Sequence, residues 1–252
     1  MTDSRAVQAA ANNGDWYAMM FDIHGLRYRL DELAFSAEEP PPAFHSGMVV
    51  LSPGRAEAVV DLIPTRAAQP RFGIKDSFVE LPLDVVDLAE LFTASWIWAD
   101  TISDADTAGW ERITDRDRLY TWELAWRAGG SPTDRRQFPD RILERQDVAV
   151  FGRLAGSTAN AGFDAGVIAN LSGECVGLSN AFGPADAYRA GAARCADFGG
   201  GRPVVGYERG DDLTAALAAG FVATGQLRVA YRTPDAQSDA DQPANDQHEN
   251  TE

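Results

Sequence analysis

The sequence predicts an α+β protein in two lobes, each a mixed sheet flanked by helices. Three observations lead there. Apolar residues switch between helical and strand spacing along most of the chain. The stretch "RPVVGYERGDDLTAALAAGFVATGQLRVAYRT" at 202–233 reads as strand, helix, Gly-Phe exit and strand. The order strand-helix-strand-helix-strand runs from about 46 to 98 and again from about 176 to 231, with "FGIKDS" opposite "VVGYER" and "VVDLAELF" opposite "TAALAAGF".

Composition bounds the rest. At 252 residues and 45% hydrophobic, the chain can bury a sizeable core. The longest apolar runs are far short of a bilayer span and "MTDSRAVQAA" lacks the apolar centre of a signal peptide, so the expected location is cytoplasmic, with no membrane partner. A net charge of −16 and the absence of a basic stripe argue against nucleic acid. Cys175 and Cys195 have neither disulfide-framework nor metal-ligand spacing; both are expected to be reduced packing residues, and no metal is expected. Of 22 basic residues only Lys75 is a lysine, which suggests a GC-rich coding sequence.

The elements follow in order. Residues 4–24 carry Val7, Ala11, Trp16, Met19, Met20 and Ile23 at helical spacing, stopped by Gly25. "YRLDELAFSA" is a strand or hairpin, the proline run "EEPPPAFH" a loop, and "SGMVVL" a short buried strand. "SPGRAEAVVDLIP" is a helix with Ser52 as its cap and Pro53 in its first turn. A strand at "RFGIKDSFV", a helix at "PLDVVDLAELF" and a strand at "TASWIWA" complete a first lobe over 1–99. Residues 100–109 read as a linker, and a second lobe covers 110–233.

In the second lobe "WERIT" is a strand, and "DRDRLYTWELAWRAG" is a helix with Leu119, Trp122, Leu124 and Trp126 turned inward. "FPDRILER" is a short helix; "DVAVFGRLAG", "DAGVIANLS" and "CVGLSNAF" form an antiparallel meander. "GPADAYRAGAARCADFGGG" is a helix with Pro184 and Asp186 at its start and a triple-glycine stop. Residues 234–252 hold six acidic residues, no basic one and no large apolar one, so a disordered acidic tail is expected, with His248 solvated.

The order from Trp110 to Arg232, with "DDLTAALAAGF" running into "VATGQLRVAYR", resembles the GCN5-related N-acetyltransferase (GNAT) fold, and the chain looks like a divergent tandem member whose N-terminal lobe is a truncated copy lacking its first strand. The resemblance implies acetyl-CoA or another acyl-CoA as cofactor. Asn180, Ala181 and Phe182 would flank its pantetheine arm, and Gly183, Ala185 and Asp186 would line its pyrophosphate site at a helix N-terminus. It further implies an N-acyltransferase acting on a small-molecule or protein amine. Departures from the pattern point to a slow or degenerate enzyme. The Arg/Gln-x-x-Gly-x-Gly/Ala signature is replaced by Arg189-Ala-Gly191-Ala-Ala193, Asp186 sets a negative charge near the phosphates, Ala216 stands where many members place an acidic tyrosine, and Arg209 where asparagine is frequent. The alternative is a non-catalytic module that binds a ligand or protein in the same cleft.

No catalytic residue follows from the sequence itself. His24 and His45 are isolated and read as helix-end and turn residues. Lys75 and Asp76 are neighbours on one strand and point to opposite faces, so they form no dyad; Tyr207 and Glu208 fail the same test. Glu174 in "SGEC" reads as a hairpin turn. Trp96, Trp98, Trp110, Trp122 and Trp126 could wall a pocket, though packing between halves is the simpler reading.

Overall fold

The computed structural model describes residues 2–102, 105–156 and 162–232. The acidic segment 234–252, with His248, lies outside the described residues. The chain runs α1 (Ser4–His24), β1 (Tyr28–Leu30), β2 (Ala34–Ala37), β3 (Met48–Val50), α2 (Ala56–Val60), β4 (Phe72–Asp76), β5 (Ala89–Ala99) and β6 (Trp110–Arg112). It continues through α3 (Arg116–Ala128), a 3₁₀ turn (Asp140–Glu144), β7 (Val148–Leu154), β8 (Phe163–Ser172), β9 (Cys175–Phe182), α4 (Ala187–Gly199), β10 (Val204–Glu208), α5 (Gly210–Ala218) and β11 (Val222–Arg232).

The strands of both predicted lobes lie in one eleven-stranded mixed sheet of order β1-β2-β3-β4-β11-β5-β10-β9-β8-β7-β6. Pairing follows the same rule on its two sides. An antiparallel meander (β1 to β3, or β7 to β9) is followed by a parallel neighbour, β4 beside β3 and β10 beside β9. The last long strand of each segment then crosses over: β5 pairs with β10, β11 with β4, and the two pair with each other from Val222↔Trp98 to Tyr231↔Ala89.

Helices cover both faces. Alternation along β7 sends Val148 and Val150 to a core shared with Phe21 of α1 and Trp122 of α3, and sends Ala149 and Phe151 to a core shared with Ala190 of α4 and Ala216 of α5. Val59 of α2 packs with Met48, Val50 and Ile74 on the face opposite α1. In α1, Ala6, Ala9 and Ala10 lie against Ala94, Trp96, Val205 and Leu227, small residues that let the helix lie close to the middle of the sheet. Asp3 caps it by accepting from Arg5 N–H at 2.9 Å, and Gly25 ends it at φ 70°.

Three sequence expectations are corrected. Residues 82–92 form turns and the start of β5, not a helix. The Asp76 carboxylate accepts from the Glu80 and Leu81 N–H groups, and Arg232 donates to the carbonyls of Val86 (2.7 Å) and Asp87 (3.1 Å), so side chains take up backbone groups of this segment. The helix expected at "SPGRAEAVVDLIP" is only Ala56–Val60, because the Ser52 hydroxyl donates to Glu32 O at 2.6 Å instead of capping it. In α3, Leu124 is exposed and Glu123 takes the inward position, where Arg127 and the Gln137 N–H both bond its Oε1.

Cys175 and Cys195 are buried and unbridged. Among the described residues no helix is long and apolar enough to cross a membrane, and no cluster of metal-ligating side chains occurs.

Candidate active site

The site begins where two parallel strands part. β9 and β10 are in register only at Val204↔Val176 and Val205↔Gly177. Beyond that point β9 runs on to Phe182 and β10 to Glu208 without pairing to one another, so their facing backbone groups are open to a ligand. The divergence coincides with a bulge of β9 against β8 between Gly166↔Phe182 and Ile168↔Ser179, where Asn180 sits at φ 54°. Gly183, at φ 117°, then turns the chain into α4; a Cβ there would lie 2.6 Å from Ala165 Cβ and 2.7 Å from Asp164 O, so only glycine fits.

Two cavities border this stretch of β9. One, of about 200 Å³, lies beside α4 and α5 and is lined by Phe182, Gly183, Ala185, Tyr188, Asp211 and Asp212. The other, of about 220 Å³, lies beside α1 and is lined by Asn13, Tyr17, His45, Lys75, Tyr207 and Glu208, with Trp16, Trp96 and Trp126 as apolar wall. Leu178 and Ala181 belong to both linings.

Of the residues singled out from sequence, Ala181, Phe182, Gly183 and Ala185 face the cavity beside α4, and Asn180 and Ala181 face the one beside α1. Asp186 lines neither. It stands at the N-cap of α4 without a capping bond, exposed, with its carboxylate 3.9 Å from Arg153 Nη1. Ala216 is fully buried in the core beneath α5, and Arg209 stacks over the Phe92 ring at 4.5 Å. His24 bonds the Gln137 carbonyl, and Glu174 is exposed in the β8–β9 turn. Trp96 and Trp126 reach the cavity beside α1 and Trp110 the other, whereas Trp98 and Trp122 pack in the cores.

Two side-chain pairs give the site its chemistry. At the opening, the Tyr188 hydroxyl donates to Glu208 Oε1 at 2.9 Å. Burial pushes the Glu208 carboxyl up from its ordinary 4.5 to about 8, against the Tyr188 hydrogen bond and with help from the Asp212 charge. Burial also holds the Tyr188 phenol well above its ordinary range, and the adjacent Glu208 charge adds to the effect. The result is a carboxyl that exchanges its proton near neutral pH, bonded to a phenol.

Deeper in the cavity beside α1 is Lys75, 1% exposed. Its ammonium donates to Asn13 Oδ1 at 2.8 Å and lies 4.1 Å above the Tyr207 ring and 4.9 Å from that of Tyr17. Burial pushes it down from 10.5 to about 7. Burial likewise pushes the neighbouring His45 down from 6.5 to about 4, so its imidazole is neutral at physiological pH.

Strand alternation separates Lys75 from Asp76, which pairs instead with Arg228 at 2.7 Å, whereas Tyr207 and Glu208, neighbours on β10, both line the cavity beside α1. The side-chain partners come from other elements: Lys75 meets Tyr207, and Glu208 meets Tyr188. The one signal in the sequence is that Lys75 is the only lysine and stands in an apolar strand.

No protein-family model and no curated protein matches the sequence. Solved structures do. A GCN5-related N-acetyltransferase from Kribbella flavida superposes with a TM-score of 0.52 at 12% identity, over 88% of this chain and 95% of that one. A putative GNAT-family acetyltransferase from Novosphingobium aromaticivorans gives 0.53 at 11% identity, over 88% and 97%. A functionally unknown conserved protein from Staphylococcus epidermidis gives 0.54 at 10% identity, over 83% and 95%. With its parted parallel strands and flanking helices, the chain has the fold of the GCN5-related N-acetyltransferases.

Proposed function

We propose that the protein is an acyl-CoA-dependent N-acyltransferase, with the acyl-CoA in the cavity beside α4 and an amine in the cavity beside α1. The observation that carries this reading is the opening between β9 and β10, beside two cavities whose linings share Leu178 and Ala181. Residues 178–182 offer unpaired backbone groups to the amides of the pantetheine arm, and the small residues Gly183 and Ala185 let the phosphates approach the start of α4.

The reaction is direct transfer. The amine nitrogen attacks the thioester carbonyl, a C–N bond forms and the C–S bond breaks. Glu208 takes the proton that the amine loses, and Tyr188 gives its hydroxyl proton to the departing sulfur. Glu208 then returns a proton to Tyr188 along the bond they already share. Tyr188 in this way fills the role for which Ala216 has no side chain. Asp186, turned toward Arg153, leaves part of the phosphate site free of its charge.

The test is binding and turnover. Acetyl-CoA, a longer acyl-CoA and free CoA are added in a thermal-unfolding assay; at a hundredfold excess over Kd a native-state ligand adds about 2.7 kcal/mol. Thiol release is then followed with an amine panel. A shift with acetyl-CoA and amine-dependent thiol release are expected. No shift with any of the three would refute the reading and leave a non-catalytic module.

A further inference from the structure

Four charged residues are buried among the described residues: Lys75, Asp76, Glu123 and Arg232. Three of them are compensated. Asp76 pairs with Arg228 and accepts two backbone N–H groups; Glu123 pairs with Arg127 and accepts from Gln137 N–H; Arg232 donates to the carbonyls of Pro64, Gln69, Val86 and Asp87. Lys75 has no carboxylate of the described residues within ion-pair distance. Among the described residues, one amide oxygen and two ring faces are its only partners, although an ammonium carries three donors. A buried charge without a counter-charge is costly, and a group with only a structural task would be paired or replaced by an apolar one.

Resting on the acyltransferase reading, we propose that the acceptor is an amino carboxylic acid, whose carboxylate pairs with Lys75 while its amine faces Glu208 at the opening. The cavity is lined by both residues, with Asn13, which accepts from Lys75, and the mutually bonded amides of Asn12 and Asn170 also in its lining. A carboxylate matches the single positive charge; a dianionic phosphate would leave an excess negative charge in the cavity that also holds Glu208. Trp16, Trp126 and Phe44 give the hydrocarbon part of the acceptor an apolar wall. An arriving anion would also restore the full charge of an ammonium that burial holds near neutrality.

The test uses the full chain and two readouts. Titration calorimetry measures binding of glycine, β-alanine, 4-aminobutyrate, 6-aminohexanoate and phenylalanine, each against its own carboxamide, without acetyl-CoA. Thiol release with acetyl-CoA measures turnover of the same compounds. At least one acid should bind roughly tenfold to a hundredfold more tightly than its amide, the range of a charge-assisted bond. In Lys75→Met, with folding checked by its melting curve, that preference should vanish while amide binding persists. Equal binding of acids and amides to the unmodified protein would overturn the proposal, and so would a preference that survives in Lys75→Met. An acetyl group on Lys75 itself after incubation with acetyl-CoA alone, seen by intact mass, would also overturn it, since Lys75 would then be the acceptor. Acid-selective binding without thiol release would sink the acyltransferase reading but leave the carboxylate site standing.

Discussion

Replacing Lys75 by methionine should stabilise the protein at neutral and lower pH. Methionine keeps the length of the side chain and removes the charge. Lowering the Lys75 pKa from 10.5 to about 7 corresponds to a cost of about 5 kcal/mol for holding the protonated form in the fold. Set against that are the hydrogen bond to Asn13, worth roughly 1.5–3 kcal/mol, and two ring contacts worth roughly 0.5–1 kcal/mol each. A net gain of about 0–2.5 kcal/mol remains, a rise in Tm of up to roughly 7 °C for a chain of this size. The pH dependence is the sharper test. Between about 7 and 10.5 the folded protein binds fewer protons at Lys75 than the unfolded chain, so the stability of the unmodified protein rises with pH across that window. The advantage of Lys75→Met should therefore shrink by about 3 kcal/mol between pH 6 and 9.5, enough to reverse its sign. Urea unfolding of both proteins at the two pH values measures this directly. A variant less stable than its parent at pH 6, or a difference independent of pH, would refute the account of Lys75 as an uncompensated buried charge.

Further outcomes follow from other parts of the site. Glu208→Gln should slow acetyl transfer by about 10²- to 10³-fold and remove a rate profile that otherwise rises to a plateau above about pH 8, since the unprotonated carboxylate is the accepting form. Tyr188→Phe deletes a bond that lowers the Glu208 pKa, so the same profile should move to higher pH; a shift to lower pH would contradict the pairing. Gly177→Ala would set a Cβ 2.2 Å from both Asn12 Oδ1 and Asn170 Oδ1, and chemical denaturation should show a loss of roughly 1–3 kcal/mol from this overpacking. Asp186→Gly should tighten acetyl-CoA binding by no more than about fivefold, because that exposed carboxylate already faces Arg153; weaker binding on calorimetry would show that Asp186 helps hold the ligand.

What could be read from the sequence was what local chemistry decides. Residues 4–24 announce a helix because one apolar face and a glycine stop lie in the same stretch, and the β7–β9 meander is marked by its own turns. The misread stretch at 82–92 has helical spacing in Leu83, Val86 and Leu88, but Arg232, far along the chain, takes its carbonyls. The exchange of β5 and β11 has no local trace either, since nothing near Trp98 specifies Val222 as its neighbour. At the candidate site, a family resemblance in element order singled out Asn180, Ala181, Phe182, Gly183, Ala185 and Asp186, of which all but Asp186 line a cavity. Lys75 with Tyr207 and Tyr188 with Glu208 were not legible, because sheet order and helix placement bring those side chains together, and a single sequence carries neither.

The exchanged strands also set the order in which the chain can fold. β5 is complete by Ala99, yet both of its neighbours, β10 and β11, lie more than one hundred residues later. On a ribosome the first segment emerges with its longest strand unpaired on both edges, a surface open to wrong partners until Arg232 is synthesised. Closing such long loops is slow, so folding is governed by the arrival of the C-terminal strand. Separately made pieces of the chain should each lack a central strand and recover a folded sheet only when mixed. The cavity holding Lys75 draws its walls from α1, β4 and β10, and so comes into being only at that final step.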